Sequence, residues 1–406
     1  MNLKIRPVAP EEVPEFFRAN ALAFSDEWIP AELELEQTLM EPERMVTAEA
    51  DGELVGTGGA FSFEMTVPGA STATAGVTWI GVVPTHRRRG ILTALMAHIH
   101  QDARRRGEPL AALWAAESLI YPRFGYGLAA RDQEFEIERG RTAWLQDKPL
   151  QGRLRLVDAA AAQMQFPQVF ERECGRRPGM IPRSEGWWRL RLLDIPDRRG
   201  GNSPMFHVVY EGASGVEGYV AYRVKHDHGH PLSSGLVKVH ELMATTEDAA
   251  RALWTYCFNI DLTVAIQAGH RPLDDPLPWM LADYRRLQAH TRDALWLRLI
   301  DVDTALSSRR YSTDGALVFD VTDSSCPWNA GRHRLEAGRG VGSCAPTDDE
   351  ADIRLDVQDL GAAYLGDVEL TLLGEAGRVE ELRPGALIRA DAMFRWRPLP
   401  WCPSVF

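Results

Sequence analysis

Cysteine is scarce and irregularly placed in this sequence of 406 residues. The five cysteines are Cys174, Cys257, Cys326, Cys344 and Cys402, and no two of them have CxxC spacing. An odd number of scattered cysteines argues against a disulfide framework and against a zinc site. We therefore predict reduced thiols that serve structural roles.

Long apolar runs are also missing. A helix needs about 20 consecutive apolar residues to span a membrane, and no stretch here reaches that length. The first residues, 1–6, lack the apolar run of a signal peptide. The hydrophobic fraction of 45% and the charged fraction of 25% are those of an ordinary globular protein. We expect a cytoplasmic protein that has no membrane partner.

Basic residues are fewer than acidic ones: the sequence has 45 Lys and Arg residues and 57 Asp and Glu residues, which gives a net charge of −12. This balance disfavours nucleic acid as a partner. It favours the attraction of cationic small molecules, such as polyamines or amino sugars.

The most informative stretch joins an apolar strand to a helix through a basic turn. Residues 79–83 read as a buried strand, residues 84–86 end it, and residues 91–96 have helical apolar spacing. The turn between them is Arg87-Arg88-Arg89-Gly90. Amide N–H groups at a helix N-terminus lack intrahelical partners and attract anions, and a glycine allows close approach of the backbone. The pattern predicts a phosphate or pyrophosphate site, although a solvated arginine cluster gives the same sequence.

A second apolar strand, at residues 110–116, leads into the aromatic run Tyr121-Pro122-Arg123-Phe124-Gly125-Tyr126-Gly127. This order of elements resembles the acetyl-CoA core of the GNAT N-acetyltransferases. The resemblance implies that the arginine-glycine turn holds the pyrophosphate, that the first strand pairs with the pantetheine arm, and that Tyr121 stands near the thioester sulfur. Tyr126 is the rival tyrosine, and its two flanking glycines favour a packing role.

The elements before this core fit the same fold. Residues 3–6 alternate as a strand, residues 9–17 open a helix, and the Asp51-Gly52 turn joins strands at 45–50 and 53–60. The predicted order is β-α-β-β-β-α-β.

A second unit of mixed strands and helix begins near residue 153. It echoes the first, with strands at 218–224 and 237–244 and a helix at 247–254. Glu247 and Asp248 occupy the helix N-terminus and would repel a pyrophosphate. We therefore predict a degenerate acetyltransferase fold that does not bind the coenzyme.

The run His226-Asp227-His228-Gly229-His230 is the one cluster of candidate metal ligands. Alternate histidines on a strand could share a face and bind zinc, but no fourth ligand is evident and the run suits a solvent-facing turn. We predict no metal.

The third part of the chain begins near Leu295. Strands are predicted at 316–321 and 353–357, and helical segments near 356–364 and 382–393. The chain ends in an apolar run, 401–406, whereas most termini are polar and frayed. We expect this tail to be tucked into the fold.

The whole chain resembles the Eis (enhanced intracellular survival) family, through residues 84–92 and 120–127, Asp275-Pro276-Leu277-Pro278 and Leu295-Trp296-Leu297-Arg298. The resemblance implies a mixed α/β (α+β) architecture of tandem GNAT folds followed by a sterol-carrier-protein-like domain. The expected domains are 1–150 (catalytic), 151–294 (degenerate) and 295–406. Members assemble as homohexamers and acetylate aminoglycosides and other amines at several positions.

The family's site residues are carried over by position. The acetyl-CoA contacts fall on Ile80, Gly81, Val82, Arg88, Arg89, Gly90, Ile91, Leu92, Thr93, Ala116 and Glu117. The resemblance makes Tyr121 the general acid and the terminal carboxylate of Phe406 the general base.

The acceptor site is less well defined. Phe24 and Asp26 are candidates, with Asp26 either receiving a substrate ammonium or capping the helix that follows. Leu92, Val405 and Glu36 depart from common patterns; Glu36 stands where an aromatic pocket residue is expected. A protein or peptide N-acetyltransferase is the alternative enzyme, and a non-catalytic binding protein is the alternative class.

Overall fold

The computed structural model describes residues 2–226 and 234–406 and divides into two compact units. The first unit combines Met1–Ala130, Arg177–Pro182 and Asp293–Phe406. The second combines Arg131–Arg176 and Arg183–Arg292. The N-terminal and C-terminal parts of the chain therefore fold together in one unit.

The first 114 residues alternate strands and helices. In chain order these elements are β1 (Leu3–Pro7), α1 (Val13–Phe24), α2 (Pro30–Leu39), β2 (Val46–Ala50), β3 (Glu53–Val67), β4 (Ala70–Val82), α3 (Ile91–Arg106) and β5 (Leu110–Trp114). Helix α3 forms because Ile91, Leu95, Ile99 and Ala103 recur at four-residue spacing and are buried on one face. Helix α1 stops at Ser25, whose φ of 56° is left-handed.

The middle of the chain follows with β6 (Gly127–Glu138), β7 (Arg153–Val157), α4 (Ala159–Cys174), α5 (Glu185–Arg191), β8 (Phe206–Gly212), β9 (Gly215–Lys225), β10 (Gly235–Ala244), α6 (Glu247–Phe258), β11 (Thr263–Pro272) and α7 (Leu277–Met280). In the second unit the strand order is β6-β11-β10-β9-β8-β7. Strands β10 and β11 are parallel and α6 connects them. Thr246 caps α6 by accepting a hydrogen bond from the amide of Ala249 at 3.2 Å.

The C-terminal elements are β12 (Gln288–Leu299), α8 (Val302–Ser307), β13 (Gly315–Thr322), β14 (Gly331–Gly338), β15 (Val341–Pro346), β16 (Ile353–Asp356), α9 (Val357–Ala363), α10 (Leu370–Glu375), β17 (Glu380–Glu381) and α11 (Ala386–Phe394). Their small sheet has the order β15-β14-β13-β16-β17. Short 3-10 helices lie at Pro10–Glu12, Pro42–Arg44, Pro84–His86, Pro122–Phe124, Arg139–Arg141, Pro196–Arg198, Tyr284–Arg286 and Pro327–Asn329.

The sheet of the first unit has the order β1-β2-β3-β4-β5-β12. Strands β4 and β5 are parallel, and β12 adds to the other side of β5 as an antiparallel partner. The predicted first-domain order omitted α2, and β3 and β4 extend well beyond the predicted segments. Across residues 2–226 and 234–406, no helix is both long and apolar enough to cross a membrane.

Candidate active site

The basic turn has the geometry of an anion cradle. Strand β4 ends at Val82, a 3-10 turn follows, and Gly90 caps the 16-residue helix α3 with a φ of 82°. No atom lies within 4 Å of the position that a Cβ on Gly90 would take, so the approach is open. Arg88 also has a left-handed φ, of 60°. The first amides of α3 point out of this opening, because a helix leaves them without intrahelical acceptors.

The three arginines of the turn have different environments. Arg87 is tied to the end of α1, because its guanidinium donates to the carbonyl of Ala23 at 2.6 Å. Arg88 and Arg89 are exposed and form no ion pair with any residue that the structure describes. These two cations are therefore available to a phosphate.

Strands β4 and β5 diverge before they reach the basic turn. Their ladder pairs Thr74 with Leu110 and ends at Gly76 and Ala112, whereas β4 continues to Val82. Parallel strands that diverge leave backbone amides and carbonyls facing the gap, and an extended ligand can pair with them. Ile80, Gly81 and Val82 lie on this diverging part of β4.

The divergence coincides with an irregularity at Trp79. Its φ of 51° is left-handed, and the register between β3 and β4 shifts there. The carbonyl of Trp79 accepts hydrogen bonds from Asn20 and Thr57, both at 2.8 Å. A Cβ on Gly81 would meet Ala23 at 2.9 Å, so α1 packs tightly on this end of β4. The sequence analysis missed the roles of Asn20 and Thr57, since only folding brings them to Trp79.

Residues Ala116 and Glu117 follow β5 and are exposed. The amide of Ile120 donates to the carbonyl of Glu117 at 3.2 Å, which closes the turn that precedes Tyr121. This turn starts at the carboxyl end of β5, on the side of the sheet edge where β4 also ends.

Tyr121 is buried, with 7% of its surface exposed. Burial raises the pKa of its phenol to about 12, so it stays protonated at neutral pH. Its ring meets the ring of Tyr126 edge to face, at 6.0 Å between centroids. Tyr126 is fully buried, and its hydroxyl is hydrogen-bonded to Nε2 of His100 at 3.1 Å. Tyr126 is thus held in the core.

The apolar tail is anchored along its length. The amide of Trp401 donates to Pro178, and Arg177 donates to the carbonyl of Leu399. Nearer the end, Nε1 of Trp114 in β5 donates to the carbonyl of Ser404 at 2.9 Å.

Phe406 completes the tail. Its ring meets that of Phe63 edge to face, at 5.0 Å between centroids. The Phe63 ring in turn covers Gly76, where a Cβ would overlap it. The last residue of the chain is therefore packed beside the point where the ladder between β4 and β5 ends.

The candidate acceptor residues lie at and after the end of α1. Phe24 has 52% of its surface exposed, and Asp26 is exposed. Of the two roles considered for Asp26, capping of the next helix is wrong, because the N-cap of α2 is Ile29. Asp26 instead accepts a hydrogen bond from the amide of Glu27 at 2.8 Å. Glu36, on α2, has its pKa raised to about 7 by burial and by the charge of Glu32.

The two acidic residues predicted to repel a pyrophosphate in the second unit do lie at a helix N-terminus. Glu247 and Asp248 lie in the first turn of α6, and Glu247 is paired with Lys148 at 2.5 Å. Asp227–His230 of the histidine run lie outside the described residues. Elsewhere in the described chain, no group of three or more His, Cys, Asp or Glu residues could hold a metal.

Comparisons with known proteins give this geometry a class. The acetyltransferase (GNAT) domain family matches residues 4–129 and, through a second family of that description, residues 179–324. The sterol carrier protein domain family matches residues 302–403. The chain is therefore an N-acetyltransferase with two GNAT domains, for which acetyl-CoA is the co-substrate.

Full-length relatives narrow the class. An uncharacterised N-acetyltransferase of Streptomyces avermitilis is 44% identical over 92% of both chains. The N-acetyltransferase Eis of Mycobacterium tuberculosis is 33% identical over 95% of this chain and 94% of its own. The crystal structure of Eis1 from Mycobacterium abscessus superposes with a TM-score of 0.87 at 35% identity, covering 99% of this chain and all of that one. The chain belongs to the family of Eis-type N-acetyltransferases.

Proposed function

We propose that the protein transfers the acetyl group of acetyl-CoA to primary amines of aminoglycosides and similar polyamines, at more than one position. Tyr121 acts as the general acid and the terminal carboxylate of Phe406 as the general base. The proposal rests above all on the tail, which fixes Phe406 beside the diverging strands through Trp114 and Phe63. These anchors hold the terminal carboxylate at a fixed place, as a general base requires.

The coenzyme contacts fit the local geometry. The pyrophosphate would lie against the amides of Gly90, Ile91, Leu92 and Thr93, with Arg88 and Arg89 supplying charge. The pantetheine arm would pair with Ile80, Gly81 and Val82 on the open side of β4. Ala116 and Glu117, after β5, would contact it from the opposite strand. The open space at Gly90 supports this reading, since any side chain there would occupy the anion's approach.

The acceptor nitrogen must lose a proton. An alkylammonium has an ordinary pKa of about 10.4 and an α-carboxylate one of about 3.3–3.7, so direct deprotonation of the free ammonium by the carboxylate is strongly uphill. The neutral amine therefore attacks the thioester carbonyl, and its nitrogen becomes far more acidic as the C–N bond forms. The carboxylate of Phe406 removes the proton at that stage, directly or through water.

The departing sulfur must gain a proton as the C–S bond breaks. A thiol has an ordinary pKa of about 8.5, which is well below the value of about 12 for Tyr121. Full transfer from the phenol to a free thiolate is thus uphill, so the phenol acts by donating a hydrogen bond to the negative charge that develops on sulfur, and the released thiolate takes its proton from water. The raised pKa keeps that donor protonated throughout the neutral range.

The acceptor is expected to be cationic, because the chain carries a net charge of −12. Phe24 offers an apolar surface and Asp26 a carboxylate at the end of α1, where Arg87 ties α1 to the cradle. This pocket would differ from the common family pattern at two positions: Glu36 stands in place of an aromatic residue and Val405 in place of an acidic one. Assembly into a homohexamer and a cytoplasmic location stay predictions from the sequence.

Thiol release from acetyl-CoA, measured with kanamycin, neomycin, a polyamine and a lysine peptide, tests the proposal. We expect rapid release with the aminoglycosides, and mass spectrometry should show products with more than one acetyl group. Release with the peptide alone would assign the protein to the peptide N-acetyltransferases. Acetyl-CoA binding by calorimetry without release to any acceptor would indicate a binding protein instead.

A further inference from the structure

The turn that carries Tyr121 is held by the C-terminal part of the chain. Tyr121 precedes the 3-10 turn Pro122–Phe124, and its carbonyl accepts hydrogen bonds from Phe124 at 2.9 Å and Tyr126 at 3.3 Å. These two bonds couple the main chain of Tyr121 to the rest of the turn. Any group that fixes the turn therefore fixes the origin of the Tyr121 side chain.

Arg298, on β12, contacts this turn through its guanidinium. Its side chain is fully buried, and Nη1 donates to the carbonyl of Phe124. The guanidinium occupies the space beside Gly125, where a Cβ would overlap Nη1. Gly125 has a φ of 80°, so both its conformation and its lack of a side chain suit this contact.

Asp323 holds the other side of the same guanidinium. Its Oδ2 accepts a hydrogen bond from Nη2 of Arg298 at 2.6 Å, and both side chains are inaccessible to solvent. The same carboxylate accepts bonds from the amide of Cys326 at 2.9 Å and from Nδ2 of Asn329 at 3.1 Å. Asp323 is thus held by several donors, and its bond to Nη2 orients the guanidinium of Arg298 so that Nη1 meets Phe124.

Helix α9 closes the remaining side of the turn. A Cβ on Gly127 would overlap the carbonyl of Gln358 and the amide of Ala362, so the two backbones touch. Ser325 adds a hydrogen bond to the carbonyl of Arg123 at 3.3 Å. Every one of these contacts comes from residues after 294.

We propose that Arg298 and Asp323 are positioning residues for Tyr121, acting through the Phe124 carbonyl. The inference rests on the proposed role of Tyr121 as general acid. Neither residue touches substrate; the pair sets where the phenol stands. A displacement of about 1 Å at a reacting group is enough to reduce turnover about a hundredfold.

A double variant separates positioning from simple stability. Removing one partner of a buried ion pair leaves an uncompensated charge, whereas neutralising both is far better tolerated. We therefore choose R298M/D323N, in which Asn retains an acceptor for the amide of Cys326. The variant keeps a neutral, filled core but loses the hydrogen bond to Phe124.

The measurement is kcat in two backgrounds, with Tyr121 present and in Y121F. Residues that act through one group are not additive. We expect R298M/D323N to lower kcat about 10- to 100-fold when Tyr121 is present, and by less than about twofold in Y121F. The Kd for acetyl-CoA, measured by calorimetry, should stay within about twofold in both, since the cradle is untouched.

The controls distinguish the possible failures. Arg309 is another buried arginine of the same unit, and it donates to the carbonyls of Tyr364 and Phe394. R309K should lower the melting temperature and leave kcat unchanged, which calibrates the effect of lost stability. Equal losses of kcat by R298M/D323N in both backgrounds would overturn the positioning role.

Two further outcomes are informative. If R298M/D323N does not fold, R298K replaces it, since Lys lacks the rigid fork whose two nitrogens reach Phe124 and Asp323 separately; unchanged kcat in R298K overturns the proposal. Full activity of Y121F alone refutes the general-acid assignment itself, and this result is separate from any result on Arg298.

Discussion

Phe406 and Phe63 meet edge to face with 5.0 Å between their ring centroids, and this contact joins the end of the chain to β3. Phe63 also covers Gly76, the last residue of β4 that pairs with β5. The contact therefore fixes the terminal residue relative to the opening between the two strands. An edge-to-face aromatic pair contributes about 0.5–1.5 kcal/mol beyond area burial, and it adds to the hydrogen bond from Trp114 to the carbonyl of Ser404 in holding the tail.

Deleting Phe406 should lower kcat about 10²- to 10⁴-fold, the usual range for loss of a general base. The deletion moves the carboxylate back by about 3.3–3.6 Å, the reach of one extended residue. The Kd for acetyl-CoA should hardly change. F406L is the matched control, because it keeps a terminal carboxylate and an apolar side chain. Activity in the deletion equal to that of F406L would remove the carboxylate from the mechanism.

Replacing Tyr121 by Phe should lower kcat by about 10²-fold or more while sparing acetyl-CoA binding, because only the hydrogen bond to the charge developing on sulfur is lost. Y364F is a suitable control, since Tyr364 is another buried tyrosine of this unit whose hydroxyl donates to a carbonyl, that of Ala305. Y364F should lose about 0.5–1.5 kcal/mol of stability and keep its turnover. Loss of turnover in Y126F, with Y121F active, would transfer the role to Tyr126.

Arg88→Gln should raise the KM for acetyl-CoA about tenfold or more, since a charge-assisted hydrogen bond contributes about 1.5–3 kcal/mol. kcat should be largely retained, because the reacting atoms are not contacted. The defect should shrink as salt is added and screens the wild-type site. R105Q, at the exposed C-terminal end of the same helix, is the control. An equal rise in KM for R105Q would point to general electrostatic attraction rather than a phosphate contact.

Glu36→Gln should stabilise the protein at pH 8 and leave its stability at pH 4 almost unchanged. Burial, followed by the charge of Glu32, raises the folded-state pKa of Glu36 from 4.5 to about 7. The stability contributed by protonated Glu36 is therefore full below pH 4.5 and lost as pH rises through 7. After discounting for partial exposure, we expect about 1–2 kcal/mol at pH 8.

Urea unfolding at the two pH values measures this effect. Glu34 lies on the same helix and is exposed, so E34Q should show no such dependence on pH. A gain in E36Q that is the same at both pH values would contradict the titration of Glu36.

Gly76→Ala should destabilise the protein by about 1–3 kcal/mol, because the new methyl group overlaps the ring of Phe63. Turnover should fall as well, since Phe63 is the partner of Phe406. G140A is the control, because nothing lies within 4 Å of a Cβ there, and its effect should stay within about 0.5 kcal/mol. Thermal unfolding and kcat, measured together, test both statements.

Local sequence patterns predicted the parts of the site that are contiguous in the chain. The strand before Pro84, the helix that starts after Gly90 and the Asp51-Gly52 hairpin are confirmed, because each depends on residues only a few positions apart. The length of β4 was underestimated, since its first nine residues, Ala70–Thr78, are mostly small and carry little apolar signal.

Contacts between distant segments could not be predicted in the same way. The hydrogen bonds from Asn20 and Thr57 to Trp79, and the approach of Arg298 to Phe124, join residues that have no local relation. The sequence does carry two weak signals: the glycines at 125 and 127 indicate close packing, and Arg298 is a charged residue in an otherwise apolar segment, 295–299. Neither signal predicts which residue lies in contact with it.

The pairing of β5 with β12 has a consequence for how the chain is made. Trp114 pairs with Leu295 and Leu110 with Leu299, so the partner of β5 is synthesised some 180 residues later. At about 5–20 residues per second, a ribosome needs roughly 10–40 seconds to supply it. The acetyltransferase sheet cannot be completed while its own first 130 residues emerge. During that interval one side of β5 is an unpaired sheet edge. Such an edge is a pairing site for a strand of another nascent chain on the same messenger RNA.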